Sequence, residues 1–222
     1  MPVRLETVLG SAEVGLFALA TDSYLIISRA VNPSKRKAFE GVFNMRAIPI
    51  SPAGSILVSP FLTGNSNGLV VSNLLLEDDL KYLKGELGGI NIGVLKTKLT
   101  AVGNLILCND RGAVVSYLLG RENLRVLQDI LGVEAVPMKL AERSYVGSLA
   151  AATNVGGLVH VDADEDDLAT LSNILRVSVM TGTVNGGLRY VRSSIVANSS
   201  GVVVGARTTG PELMTVTRIF GQ

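Results

Sequence analysis

Cys108 and His160 are the only cysteine and the only histidine of the chain. A thiolate nucleophile and an imidazole base at one centre would support covalent catalysis, so any such chemistry must run through this pair. Three other stretches have the composition of ion sites. Asp162 to Asp167 begins like a calcium loop, but an EF-hand needs Gly in sixth place and Glu in twelfth. Those places hold Asp167 and Asn173, so the stretch reads as a solvated helix start. Gly182 to Gly187 is glycine-rich but lacks the Lys-Ser/Thr of a phosphate-gripping loop, and reads as a tight turn. Ser34-Lys35-Arg36-Lys37 is a short basic run, either a solvated helix face or a contact to RNA phosphates. A lone cysteine excludes a disulfide framework and a zinc finger. No metal and no cofactor is expected.

The elements that hold these residues repeat. Asn65-Ser66-Asn67-Gly68-Leu69-Val70-Val71 is echoed from Asn109, from Asn154 and from Asn198. The asparagines step by 44, 45 and 44 residues (65 to 109 to 154 to 198). One step back from Asn65 lies Thr21-Asp22-Ser23-Tyr24, a degenerate copy with Tyr24 in the glycine's place. Five copies of about 44 residues use up all 222.

Each copy has two short apolar runs around Asn-x-x-Gly, which predicts a β-hairpin. Asn caps its own backbone there, and Gly is expected to supply positive φ. Helical spacing follows: Leu80, Leu83 and Leu87; Leu124, Leu127, Ile130 and Leu131; Leu168, Leu171, Ile174 and Leu175. Asn32-Pro33 opens a first helix carrying Phe39, Val42 and Phe43, and Thr209-Gly210-Pro211-Glu212 offers a capping box to the last. A third strand follows each helix, from Ile48, Ile90, Val133 and Val177, so the unit is β-β-α-β. The fifth copy ends just after its helix. Val3 to Thr7 is expected to lend it the missing strand and so close a ring, hiding the sheet edges. The expectation is a single domain, residues 1–222.

The mean hydropathy of +0.40 raises the question of a membrane. The longest charge-free stretch, Ala47 to Leu76, is broken by Pro49, Pro52, Pro60 and several glycines, so it does not read as a spanning helix. Met1 to Glu6 lacks the blocks of a signal peptide, and the protein is expected in the cytoplasm. With 20 basic and 19 acidic residues, no overall field favours DNA or RNA.

The residues resemble those of the translation initiation factor 6 family. The carriers are Ala101-Val102-Gly103-Asn104 with Cys108-Asn109-Asp110, Asn154 to His160, Gly182 to Gly187, and Thr208 to Leu213, spread over essentially the full length. The resemblance implies the pentein fold, a five-bladed α/β propeller. It implies an archaeal, monomeric anti-association factor that binds the large (50S) ribosomal subunit and keeps the small subunit off, with a part in large-subunit maturation. The implied partners are ribosomal proteins L14 and L24e and the vicinity of the sarcin-ricin loop of 23S rRNA. Eukaryotic members carry a C-terminal regulatory tail, and with its last residue at Gln222 this chain is expected to resemble the archaeal members, which lack that control.

Penteins also include guanidine-modifying enzymes (deiminases and amidinotransferases), which place His before a Cys near the C-terminus. Here Cys108 comes first, and His160 stands where Val71, Val115 and Val204 stand in other copies, so no enzyme is expected. Candidate ribosome contacts are the hairpin residues Asn65, Asn109, Asn154 and Asn198 and, above all, Asn104. The turn asparagines have a backbone role first. Asn104 stands where other copies have Pro60, Leu149 and Ser193, so ring geometry does not demand it. The family's basic residue before the second turn is replaced by Ser59-Pro60-Phe61.

Overall fold

The computed structural model describes residues 1–221, so Gln222 of the expected last repeat lies outside the described residues. Among the described residues the strands form five three-stranded sheets. In the first repeat β2 (Ala18–Ala20) and β3 (Leu25–Ser28) form a hairpin, α1 (Pro33–Phe43) crosses over, and β4 (Ala47–Ile50) adds in parallel to β3. The same unit recurs as β5 (Leu62–Gly64), β6 (Gly68–Ser72), α2 (Glu77–Glu86) and β7 (Asn91–Leu95). The third is β8 (Ile106–Cys108), β9 (Ala113–Ser116), α3 (Arg121–Leu131) and β10 (Ala135–Met138). The fourth opens with a one-turn helix, α4 (Val146–Leu149), then β11 (Ala150–Ala152), β12 (Gly156–Val159), α5 (Glu165–Leu175) and β13 (Ser178–Thr181). The fifth has β14 (Ile195–Ala197), β15 (Val202–Gly205) and α6 (Gly210–Phe220). Its third strand is β1 (Val3–Glu6), paired in parallel with β15 from Val3 opposite Val202 to Glu6 opposite Gly205. The strand expected of the N-terminus is therefore in place.

Helix starts follow local chemistry. Asn32 Oδ1 accepts from Lys35 N at 2.9 Å with Pro33 in the first turn, and Asp164 Oδ1 accepts from Asp167 N at 2.8 Å. The capping box of α6 forms as expected between Thr209 and Glu212. Pro49 and Pro137 sit inside β4 and β10, which is tolerated because both are outer edge strands with no further ladder bond to donate. The inner strands β2, β5, β8, β11 and β14 line the axis. Apolar side chains between neighbouring sheets and helices make five core clusters, each joining adjacent repeats, such as Leu107 and Val114 of the third with Leu171 and Leu175 of the fourth. The high hydropathy is buried there, and among the described residues no helix is long and apolar enough to cross a membrane.

The turn glycines correct the reading of positive φ. Gly68, Gly112, Gly156 and Gly201 are not in the left-handed region. A Cβ would instead land 1.9 Å from Ile130 O at Gly68, 2.2 Å from Ile174 O at Gly112, 2.2 Å from Ile219 O at Gly156 and 2.6 Å from Val42 O at Gly201. Glycine is required because the helix of the next repeat packs its C-terminal carbonyls onto the turn. The last of these contacts joins the fifth repeat to the first. Tyr24 occupies the glycine's place in the first repeat, beside an opening of about 350 Å³ between the first two repeats. There its hydroxyl donates to Gly68 O at 3.0 Å.

Candidate functional site

At the hairpin end, Asn65 Oδ1 accepts from the N–H of Asn67 and Gly68, both at 3.0 Å. Asn109 and Asn198 repeat this on Arg111 and Gly112 and on Ser200 and Gly201. In the fourth repeat Thr153, not Asn154, does so, accepting from Val155 and Gly156; in the first, Thr21 accepts from Ser23 and Tyr24. The true column is Thr21, Asn65, Asn109, Thr153 and Asn198, and the expected placing of Asn154 in it is one residue late. Threonine's hydroxyl and asparagine's amide oxygen accept the same bonds, so the side-chain type alone misleads.

The amide nitrogens of this column tie the ring together. Asn65 Nδ2 donates to Asn109 O at 3.0 Å and Leu131 O at 2.9 Å, and Asn109 Nδ2 to Thr153 O at 3.0 Å and Leu175 O at 2.8 Å. Asn198 Nδ2 donates to Thr21 O at 3.0 Å, from the fifth repeat to the first. All three asparagines are buried. Asn154 belongs to the next column, with Asp22, Ser66, Asp110 and Ser199. Its Nδ2 donates to Asp22 at 2.8 Å and Asp110 at 2.6 Å, holding two carboxylates at the mouth of the axis.

The opposite end is built differently. There each inner strand is preceded by a tight turn, helical in four repeats, at Val14–Leu16, Val102–Asn104, α4 and Val191–Ser194. A Cβ on Gly103 would lie 1.8 Å from Ser59 O, one on Gly147 2.3 Å from Gly103 O, and one on Gly15 1.9 Å from Arg192 O. This second glycine column has no local signal in the sequence, because the neighbouring repeat imposes it. With the corrected register Asn104 matches Leu16, Pro60, Ser148 and Ser193; Ser148 replaces the expected Leu149. All five are partly exposed. Asn104 is not shared out like the turn asparagines: among the described residues its side-chain amide has no hydrogen-bond partner in the protein. Tyr117, Tyr145 and Tyr190 stand around this end, each about half exposed (49–52%). Ser144 Oγ donates to Tyr117 Oη at 3.2 Å, and Lys139 lies 5.9 Å from the Tyr117 ring centre. Arg143 and Arg189 converge on Asp162 at 2.9 and 3.3 Å.

Cys108 and His160 are not brought together. Cys108 ends β8 at the hairpin end, whereas His160 follows β12 at the opposite end. Burial pushes the Cys108 thiol up to about 11, leaving it protonated at neutral pH. In the corrected register His160 matches Ser72 and Ser116 rather than valines. Its Nδ1 accepts from Asp162 N at 3.1 Å, as Ser72 Oγ accepts from Leu74 N and Ser116 Oγ from Leu118 N. Its ring meets Tyr190 edge-on at 6.0 Å. The histidine is a turn cap.

The remaining stretches bind ions of the protein itself. Gly186 N and Gly187 N donate to the Glu212 carboxylate at 3.0 and 2.8 Å, so the glycine loop grips the capping residue of α6. Asp164 caps α5, and Asp167 accepts from Ala141 N at 2.9 Å. Lys35 of the basic run pairs with Glu6 of β1, Arg36 donates to Val31 O at 3.2 Å, and Lys37 faces solvent.

Residues 3–219 match the model of the eIF-6 family. Translation initiation factor 6 of Saccharolobus islandicus is 32% identical over all of both chains. The factor of the same name from Natronomonas pharaonis is 38% identical over 92% of each, and that from Pyrococcus horikoshii 35% over 95% of each. With 32% identity over the full length, and a family model spanning nearly every residue, the chain belongs to the eIF-6 family of translation factors.

Proposed function

We propose that the protein binds the large ribosomal subunit through the Asn104 end of its ring and blocks the small subunit by occupying the joining surface. The observation that carries this reading is the uncommitted amide of Asn104. It is partly exposed on a face bordered by three half-exposed tyrosines, whereas Asn65, Asn109 and Asn198 are spent inside the ring. Tyrosine and arginine are the residues that anchor protein interfaces. The hairpin end, where Asn154 is also partly exposed, lies at the other end of β8, about 3.3 Å per residue away, so one flat partner cannot engage both ends. Occlusion needs no bond to break, only a stiff face on the order of 800 Å². The near-neutral net charge favours a mainly protein contact, for which ribosomal protein L14 is the proposed partner, with protein L24e and the sarcin-ricin loop alongside. The proposal includes action as a cytoplasmic monomer, with residues 1–222 as one unit, and a part in large-subunit maturation.

The test is sedimentation of purified large and small subunits with the protein, at magnesium levels that favour joining. The expected result is co-migration with the large subunit and loss of joined particles. Migration with the small subunit, or undiminished joining at saturating protein, overturns the reading.

A further inference from the structure

The third residue of each helix shows where one repeat departs from the rest. In α2, α5 and α6 it is a carboxylate that reaches the loop after the third strand of the preceding sheet. Asp79 accepts from Ala53 N at 3.0 Å, Asp167 from Ala141 N at 2.9 Å, and Glu212 from Gly186 N and Gly187 N at 3.0 and 2.8 Å. The gripped loops turn through left-handed pairs, Ala53–Gly54, Ala141–Glu142 and Asn185–Gly186. The second sheet has neither half of this grip. The third residue of α3 is Asn123, and Lys98–Leu99, the matching pair after β7, is not left-handed. Asn73 Nδ2 donates to Thr97 O and Leu99 N to Thr97 Oγ1, both at 3.1 Å, which holds this loop in another form. An opening of about 710 Å³ lies between the loop and the start of α3, at the Asn104 end, with Leu118 in its wall beside Tyr117. Asn123 lines it. The residue is only 8% exposed, yet among the described residues its side-chain amide has no hydrogen-bond partner. The helix starts on Gly120 without a side-chain cap. Lys96 and Lys98 line the opening from the loop, both exposed and, among the described residues, in no ion pair. Glu122 is the one carboxylate in the lining. It is turned back over its own helix start, where a Cβ on Gly120 would meet its Oε1 at 2.4 Å.

We propose that this opening is a slot for an acidic side chain, Asp or Glu, presented by a protein of the large ribosomal subunit. The inference rests on the proposed binding through the Asn104 end and names the chemistry of the partner there. The partner's carboxylate takes the place that Asp79, Asp167 and Glu212 fill in their own repeats. Asn123 Nδ2 and the uncapped first turn of α3 donate to it, and Lys96 and Lys98 supply the opposite charge. A buried amide without a partner is unfavourable, and docking satisfies it. Two observations favour a carboxylate over an RNA phosphate. The three filled counterparts each hold a carboxylate at this place. Two lysines against Glu122 leave a surplus of a single charge, which one carboxylate balances and a phosphate chain exceeds.

The test uses the full chain on purified large subunits. A carbodiimide, which joins amines to carboxylates and leaves internal phosphodiesters alone, is added to the co-sedimented complex, and the linked peptides are read by mass spectrometry. The expected link runs from Lys96 or Lys98 to an Asp or Glu of a large-subunit protein. The double variant Lys96→Glu, Lys98→Glu should bind the subunit about tenfold more weakly or worse, with Tm unchanged. Asn123→Asp supplies the missing carboxylate from the chain itself, so it should weaken subunit binding without lowering Tm. The slot is overturned if the wild type co-sediments but forms no link through either lysine, or if the 96–98 segment forms ultraviolet cross-links to 23S rRNA instead. Undiminished binding of either variant overturns it as well. A wild type that does not co-sediment at all is a different failure, which overturns the large-subunit reading and the slot with it.

Discussion

Asn109 Nδ2 lies 3.0 Å from the carbonyl oxygen of Thr153, its own counterpart one repeat later. The same nitrogen reaches Leu175 O at the end of α5, and the amide oxygen caps Arg111 N and Gly112 N. One buried side chain thus closes a turn, caps a neighbouring helix and joins two blades. Asn109→Ala leaves those buried groups without partners and should cost about 2–4 kcal/mol in urea unfolding. Asn109→Thr should recover part of this, since Thr21 and Thr153 cap their turns with a hydroxyl. Equal loss in both variants would mean that the turn cap contributes nothing.

Two glycines should respond to alanine in opposite directions. At Gly103 the new methyl would meet Ser59 O at 1.8 Å, a backbone atom fixed by the neighbouring repeat. The expected loss is about 2–3 kcal/mol, seen as a fall in Tm. At Gly41, inside α1 and facing solvent, a Cβ meets nothing within 4 Å. Gly41→Ala should gain about 0.5–1 kcal/mol from helix propensity. An unchanged Tm for Gly103→Ala would show that the inner turns are not packed as described.

This contrast also marks what one sequence discloses. The repeat, its β-β-α-β order and the loan of Val3–Glu6 to the last sheet were legible, because turn chemistry and helical spacing act within a few residues. The column Gly15, Gly103 and Gly147 was not, because its cause is a carbonyl on another repeat. The same holds for the turn glycines, whose presence was legible but whose reason was not. The slip at Thr153 arose because two residue types accept the same pair of N–H groups, and it carried Leu149 and His160 into the wrong columns.

Acid should weaken the fold through Glu212 and His160, in different windows. For Glu212, burial pushes the pKa up, but bonds from Thr209, Thr183, Gly187 and Gly186 outweigh it and hold the carboxyl down at about 2. The group is ionised and gripped above its unfolded pKa, near 4.5, and its contribution is lost as pH falls from there toward 2. Glu212→Gln should lower Tm at neutral pH and flatten the Tm–pH curve below pH 5. A curve parallel to the wild type over that range would rule the carboxylate grip out.

His160 acts from a higher pH. Burial first, and then Arg143, lower its pKa below the ordinary 6.5, so the unfolded chain takes the proton more readily than the folded one. Its contribution is complete above about pH 6.5 and declines as pH falls below that. His160→Ser restores the residue that caps the second and third repeats, so it should fold and lose this part of the slope. Loss of folding in His160→Ser would show that the ring itself, through packing on Tyr190, is what the position needs.

Asn104 separates binding from stability. Its amide has no partner inside the protein, so Asn104→Ala should leave the unfolding free energy within about 0.5 kcal/mol of wild type, as for a surface change. Large-subunit affinity, measured by co-sedimentation, should fall about tenfold or more if the amide sits in a desolvated contact. Tyr145→Ala should act in the same direction with the same small effect on stability. Asn109→Ala provides the opposite signature, a weaker fold whose remaining native fraction binds with unchanged affinity, because Asn109 lies at the far end of β8. If Asn109→Ala reduces affinity per folded molecule while Asn104→Ala does not, the ribosome-facing end of the ring is the hairpin end, and the assignment made from the free amide of Asn104 is reversed.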